Sequence, residues 1–383
     1  VTSDLSQYTL GYDIPALPGM KLDDVQTPAL IVDLDAFDHN LLKMRDEIAK
    51  YGVRHRAHCK MHKSAEVAKL QIERGNACGV CCQKVSEAEA LVRAGLTDIM
   101  VSNEVCDPYK IDRLAQLPKL GARILVCTDN LANIEDLSQA AVKHTTQLEV
   151  LVELDCGGTR CGVADSAAVL ELATAIIAAS NLRFAGIQSY QGAAQHAYDY
   201  ADRKALLDTA ITITKDAVDL LESKEIHCDI VGGAGTGSYP FEAASGVFNE
   251  LQCGSYLFMD ADYRKVKDKD GKHLPAFEHA LFLLTSIMSI DIDGQAVCDA
   301  GLKAHSIDSG PPTVFERPDL QSLDYSDEHG VLKDPQNSLR INDKIKLVPG
   351  HCDPTCNLHD WYVGVRDGVV ETLWQVTARG KFY

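Results

Sequence analysis

The chain has no stretch near the roughly 18 consecutive apolar residues that a membrane span requires, so no membrane-spanning helix is expected. It is also short of positive charge: 37 Lys and Arg face 55 Asp and Glu, a formal net charge of -18 over 383 residues. That deficit excludes nucleic acid and anionic membrane surfaces as partners, because phosphate-rich surfaces are held by basic patches. A few local cations can still hold a small anionic ligand. The 13 cysteines lack the regular spacing of a disulfide framework, and an odd number cannot all pair. Cys81, Cys82, Cys127, Cys253 and Cys298 lie inside apolar runs, where Cys serves as a small core residue. A reducing compartment is expected, the cytoplasm or an organelle lumen reached after removal of a leader, since the chain starts at Val1. Neither an internal repeat nor a low-complexity tract is present.

What is there is an ordinary globular composition, 46% hydrophobic and 24% charged. From Arg54 to about Asp260, short apolar runs alternate with amphipathic ones. Strands are expected at Arg54–Cys59, Gly79–Gln83, Ile99–Asn103, Arg123–Cys127, Glu149–Leu154, Phe184–Tyr190, Asp229–Gly233 and Glu250–Phe258. Helices are expected at Ser64–Arg74, Ser86–Ala94, Pro108–Leu117, Leu131–Lys143, Ser166–Ala179 and Asp202–Glu222, with Ser64 as an N-cap and Ser86/Glu89 as a capping box. Eight βα-like units favour a closed (β/α)8 TIM-like barrel over an open doubly wound sheet. Ala29–Asp33 adds a strand and Ala36–Lys50 a helix ahead of the first unit. After about Arg264 the texture changes to short strands at Ala280–Asp291, Gln295–Asp299, Lys344–Val348, Trp361–Arg366 and Val369–Val376, the last two joined by the hairpin signal Asp367-Gly368. This predicts a barrel over residues 34–264 and a mainly antiparallel β domain from 1–33 and 265–383, with Tyr263–His273 as a hinge.

Barrel chemistry sits at the C-terminal ends of strands. The first ends in His58-Cys59-Lys60-Met61-His62-Lys63, where a lysine can carry a Schiff base if its surroundings lower its pKa. Gln83 ends the second. The fifth runs into Asp155-Cys156-Gly157-Gly158-Thr159-Arg160, a Gly-containing loop with a planar donor fork. The sixth runs into Tyr190–His196, offering a ring to lie against an aromatic group and an imidazole base. The seventh leads to Gly232–Ser238 and the eighth holds Cys253-Gly254-Ser255-Tyr256. Gly-rich turns after the last two barrel strands are where a phosphate is commonly cradled. In the β domain, His351 and Asp353 alternate and on an extended segment share a face that suits a divalent ion, whereas Cys352 and Cys356 would suit structural zinc.

Together these runs resemble the D-threonine aldolase and D-3-hydroxyaspartate aldolase family, within the alanine-racemase-like, fold-type III pyridoxal-phosphate enzymes. The likeness extends from Gln26-Thr27-Pro28 to the C-terminus. It rests on His58-x-Lys60-x-His62-Lys63-Ser64, Cys81-Cys82-Gln83-Lys84-Val85-Ser86-Glu87, Tyr190–His196, Asn249–Tyr256 and Pro349–Cys356 in that order. The resemblance implies an alanine racemase-like fold, pyridoxal 5'-phosphate on Lys60, and Gln83, Arg160, Tyr190, Gly235, Thr236, Gly254 and Ser255 around it. It further implies a divalent ion (Mn2+ or Mg2+, with Zn2+ the alternative) on His351 and Asp353, and His196 as the base. Some dehydratase relatives have Cys where this chain has Asp353, which leans towards the aldolases. The expected activity is cleavage of a small β-hydroxy D-amino acid, D-threonine or D-3-hydroxyaspartate, to glycine and an aldehyde, by a homodimer. The rivals are a D-hydroxyamino-acid dehydratase and, from another class, a non-catalytic pyridoxal-phosphate carrier. For a second substrate carboxylate the sequence offers Lys303, His305, Arg317 and His329.

Overall fold

Strands that read as unbroken apolar runs must be covered on both faces, and the computed structural model, which describes residues 5–273 and 277–383, shows how. In chain order the first elements are β1 (Ala29–Asp33), α1 (Leu34–Ala49), β2 (Arg54–His58), α2 (Ala65–Glu73), β3 (Gly79–Cys82), α3 (Val85–Arg93), β4 (Asp98–Glu104), α4 (Pro108–Leu114), β5 (Arg123–Thr128) and α5 (Leu131–His144). They continue as β6 (Leu148–Glu153), α6 (Ser166–Ala178), β7 (Leu182–Ser189), α7 (Tyr200–Glu222), β8 (Ile230–Gly233), α8 (Tyr239–Ala244) and β9 (Glu250–Leu251). Strands β2 to β9 pair in sequence order, all parallel, and β9 returns to β2 to close the barrel. Alternate residues point inward, so Cys81, Met100, Leu125, Leu151 and Ile230 fill the lumen while their neighbours pack under the helices.

The N-terminal end of the barrel is closed by charge. Arg56 bridges Glu250 and Asp98, Arg123 bridges Asp98 and Glu149, and Arg183 bridges Glu149 and Asp229. Arg54 completes the circuit, donating to Glu250 and to the Asp229 carbonyl. Four arginines and four acids thus alternate around the base. The Arg56–Asp98 bridge passes over β3 at Gly79, where a Cβ would overlap the Arg56 guanidinium. Glycine is required there by close approach rather than by backbone freedom.

The remainder forms one nine-stranded sheet. Its strands are β10 (Leu281–Ser289), β11 (Gln295–Cys298), β12 (Thr313–Val314), β13 (Gln321–Tyr325), β14 (Gly330–Lys333), β15 (Lys344–Val348), β16 (Trp361–Arg366) and β17 (Val369–Gln375), with the short helix α9 (Cys352–Cys356) between β15 and β16. The order is β13-β14-β11-β10-β1-β16-β17, with β15 against β10 and β12. Only β1–β16 is parallel; the rest is antiparallel. The strand expected ahead of the barrel is therefore a central strand of this sheet. Residues Ile14, Ala16 and Val25 pack on the sheet's outer face beside Ile31 and Val363.

Several expectations need correction. The eighth strand is only Glu250–Leu251, not a run to Phe258, because the following backbone is diverted. Tyr256 N–H donates to the Thr236 hydroxyl at 2.8 Å rather than to a ladder. The Gln252 and Gln188 amides bond reciprocally inside the barrel at 2.8 and 2.7 Å. Ser86/Glu89 is not a capping box: α3 starts one residue earlier, and Glu87 accepts from the N–H groups of Gln83 and Lys84 at 2.8 and 3.0 Å. Ser64 does cap α2, accepting from Val67 N–H. Strands β12, β13 and β14 and helix α8 were not foreseen. The Tyr263–His273 segment is docked, with the fully buried Arg203 binding the Lys267 carbonyl.

Arg56→Met is expected to lower unfolding free energy by about 3 kcal/mol, since it leaves buried Glu250 with only the half-exposed Arg54 and takes one of two arginines from Asp98; urea denaturation will measure it. Burial raises the Glu250 carboxyl, but Arg56 and Arg54 outweigh burial and hold it below the usual range. A depressed carboxylate stabilises above its unfolded pKa and loses that contribution as pH falls through the folded one. The wild type should therefore show a steeper loss of stability than Arg56→Met below about pH 4.

Candidate active site

The sheet folds over the mouth of its own barrel. Ala261 N–H bonds the Pro349 carbonyl, and Cys352 N–H bonds Asp260 Oδ2 at 2.9 Å. Tyr362 on β16 donates its hydroxyl to the His62 carbonyl at 2.7 Å. These contacts set α9 opposite the turn after β2, and Lys60 Nζ comes to 3.4 Å from Asp353 Oδ2. The eleven residues that the family resemblance implies for cofactor, metal and base line one cavity: Lys60, Gln83, Arg160, Tyr190, His196, Gly235, Thr236, Gly254, Ser255, His351 and Asp353.

The surroundings of Lys60 do not lower its pKa. Its ammonium is favoured, chiefly by the Asp353 carboxylate and against the effect of burial, so its pKa is raised rather than lowered. Burial opposes ionisation of Asp353, but Lys60 and His351 overcome it and hold the carboxyl well below its usual range. His58, behind Lys60, is neutral: burial, then Lys60, pushes it to about 3. Gln83 Nε2 and Ser102 Oγ lie 3.1 and 3.3 Å from His58 Nε2. Arg160 lies over the Tyr190 ring, 5.5 Å from its centroid, with Nη2 3.6 Å from Glu153 Oε1. Glu153 is pushed up to about 8 by burial and by neighbouring Glu104.

The residues fit a phosphate at one end of the cavity. Backbone N–H groups of Thr236, Gly254 and Ser255 make no hydrogen bond to the described chain, and the Thr236 hydroxyl, already accepting from Tyr256, keeps its proton to donate. The glycines have a packing reason too: a Cβ at Gly235 would sit 2.5 Å from Gln195 Oε1, and at Gly254 2.8 Å from the His58 carbonyl.

They also fit a divalent ion at the other end, though not as an extended pair. His351 is extended but Asp353 lies in the first turn of α9. His351 Nε2 and Asp353 Oδ1 are 3.6 Å apart, too far to bond each other and near the roughly 3–3.5 Å between two donors on one ion. Asp353 Oδ1 is buried without a hydrogen-bond partner. Among the described residues no third His, Cys, Asp or Glu joins them, so water and substrate would fill the other positions, as in an open catalytic site. Cys352 and Cys356 instead point into the core, fully buried, with Cys352 against the Met259 carbonyl. That removes the structural-zinc reading.

Some participants were not legible beforehand. Asp308 Oδ2 holds His351 Nδ1 at 2.7 Å, turning Nε2 towards Asp353. Burial disfavours the His351 imidazolium, yet Asp353 and Asp308 outweigh it and lift the ring to about 9. Asp262 Oδ2 holds His196 Nδ1 at 3.0 Å, and its Oδ1 accepts from the Tyr198 hydroxyl at 2.6 Å. No motif marks these aspartates. Conversely, Lys303, Arg317 and His329 pair with Glu328, Asp319 and Ser326 elsewhere, and His305 packs edge-on against Tyr325. None of the four reaches the cavity.

The alanine racemase N-terminal domain family matches residues 32–262, and a serine dehydratase-type domain matches 280–365. The chain is 58% identical to a 3-hydroxy-D-aspartate aldolase of Paracoccus denitrificans (strain Pd 1222), covering 100% of this chain and 99% of that one. It is 45% identical to a D-threonine aldolase of Arthrobacter sp, covering 96% of each. The chain belongs to the D-threonine aldolase and 3-hydroxy-D-aspartate aldolase family. Within it, the crystal structure of D-threonine aldolase from Filomicrobium marinum superposes with a TM-score of 0.93 at 47% identity, covering 96% of this chain and 100% of that one. The family's barrel-plus-sheet fold is the one described above.

Asp308→Asn is expected to raise the Mn2+ concentration needed for half-maximal activity about ten- to a hundredfold, with saturating metal restoring the rate. An unchanged metal requirement would place the ion away from His351.

Proposed function

We propose that the protein is a lyase that uses pyridoxal phosphate and a divalent metal to cleave β-hydroxy D-amino acids between Cα and Cβ, giving glycine and an aldehyde. The observation that carries this reading is the juxtaposition of an amine on the barrel with an open imidazole–carboxylate pair on the sheet, across one cavity with a row of unspent amides at its end. Lys60 would hold the cofactor, Thr236, Gly254 and Ser255 its phosphate, and Arg160, Gln83 and Tyr190 its ring. Pyridoxal phosphate, when bound, supplies an electron sink for the charge left on Cα. His351 and Asp353 would hold the ion that grips and acidifies the substrate hydroxyl. His196, oriented by Asp262 through Nδ1, presents Nε2 to take the hydroxyl proton. Lys60 returns a proton to Cα as glycine forms. The D-enantiomer is selected because only it aims its hydroxyl at the 351/353 pair while its amine reaches position 60. Residues 34–264 would then serve the cofactor and residues 1–33 with 265–383 the metal.

Incubation with D-threonine and D-3-hydroxyaspartate should yield glycine with acetaldehyde or glyoxylate. Ammonia and a keto acid instead would make the protein a dehydratase. Dialysis against a strong chelator should abolish turnover and Mn2+ should restore it. Lys60→Ala should purify without the cofactor's near-visible absorbance; retention of that band would remove Lys60 from the role.

A further inference from the structure

Beside the active-site cavity lies a second, wider one that shares Lys60, Gln83 and Asp353 with it. Its wall carries four lysines, Lys60, Lys63, Lys84 and Lys381, against two carboxylates, Glu87 and Asp353. This is an excess of two positive charges in a chain whose net charge is -18. Two lysines are spent: Lys60 on Asp353 at 3.4 Å and Lys63 on Glu87 at 3.0 Å. Lys84 and Lys381 have no ion-pair partner among the described residues. Their positions are built rather than incidental. Lys84 is the residue from which α3 starts, its N–H held by Glu87. Lys381 is delivered by a segment pinned across the rim, where Ala378 N–H bonds the Lys63 carbonyl, Gly380 N–H bonds Asn357 Oδ1 at 3.1 Å, and Ser86 N–H bonds the Tyr383 carbonyl.

We propose that this chamber is a subsite for a carboxylate on the substrate's β-carbon, with Lys84 and Lys381 as its counter-charges, so that the protein prefers four-carbon β-hydroxy amino dicarboxylates over β-hydroxy amino acids with an alkyl group there. The inference rests on the aldolase reading and deepens it. A hydroxyl held at the 351/353 pair is attached to Cβ, and the other Cβ substituent lies one bond away. The chamber shares Asp353 and Lys60 with the active-site cavity, so it is adjoining space for that substituent. The facing wall of the active-site cavity is unsuited to a second carboxylate, because Asp262 stands behind His196 there. The α-carboxylate and amine are common to both substrate classes, so only the distal group meets the difference. In a surface of overall negative potential, two unpaired ammonium groups beside the site also attract a substrate of net charge about -1 and hold its glyoxylate product briefly, and this attraction weakens with salt.

The test compares D-3-hydroxyaspartate with D-threonine on the holoenzyme. Lys84→Met/Lys381→Met should lower the ratio of their kcat/KM values about tenfold or more, mainly through KM for the dicarboxylate, the size expected for losing charge-assisted contacts. Lys84→Arg/Lys381→Arg should keep most of the ratio. KM for the dicarboxylate should rise with ionic strength more steeply than KM for D-threonine. An unchanged ratio in the Met variant overturns the proposal, as does an equal fall on both substrates. Calorimetry with succinate and butyrate reads the chamber without turnover. Succinate should bind the wild type more tightly than the Met double variant, and butyrate should not distinguish them; equal succinate affinity overturns the subsite. If the wild type cleaves neither amino acid, the aldolase reading falls while this binding result still decides the chamber.

Discussion

Two opposite charges from different parts of the fold meet at the centre of the molecule: the ammonium of Lys60, just past the first barrel strand, and the carboxylate of Asp353, in a single helical turn of the β sheet. Each is accessible from the cavity but surrounded by protein, and each explains the ionisation of the other. The pair exists only if the sheet lies over the barrel mouth in one register. The rest of the proposed site depends on that placement, because the amides offered to a phosphate belong to the barrel and the imidazole–carboxylate pair offered to a metal belongs to the sheet.

The register is set by contacts that are mostly backbone and buried. Asp260, pushed up to about 6 by burial, spends its two oxygens on the N–H groups of Tyr263 and Cys352, one on each side of the junction. Asn40 on α1 reaches the carbonyls of Leu257 and Glu278 and so ties the chain's exit from the barrel to its entry into the sheet. The two thiols of α9 face the core while Asp353 faces the cavity. One helical turn thus separates a packing side from a chemical side.

Much of this was legible in the sequence because the barrel's signals are local. Val80, Ile99, Val126 and Val150 read as strand interiors from their neighbours alone, and Asp367-Gly368 announced its hairpin through two positions with positive φ. The site residues were legible through strand ends and through the family resemblance. What was missed depends on long-range geometry. Asp308 lies 43 residues from His351, and Asp262 lies 66 from His196, with no periodicity linking either pair. The effect of Asp353 on Lys60 was out of reach for the same reason, since the two are adjacent only in the fold. Strands β13 and β14 escaped because their faces are half-exposed and mixed in polarity, giving no clean alternation.

The charged circuit at the foot of the barrel carries a consequence for how this protein can change over time. Six members, Arg56, Arg123, Arg183, Asp98, Glu149 and Glu250, each serve two neighbours of opposite sign, so losing one leaves two partners half-served, and a single reversal sets three like charges side by side. Drift around the circuit is therefore epistatic: related chains should lose or swap its members in couples, with Gly79 released to become larger only in lineages where Arg56 and Asp98 have gone together. At the opposite end the ion pairs are separate couples rather than a closed circuit, so one can change there while the foot keeps the cylinder closed.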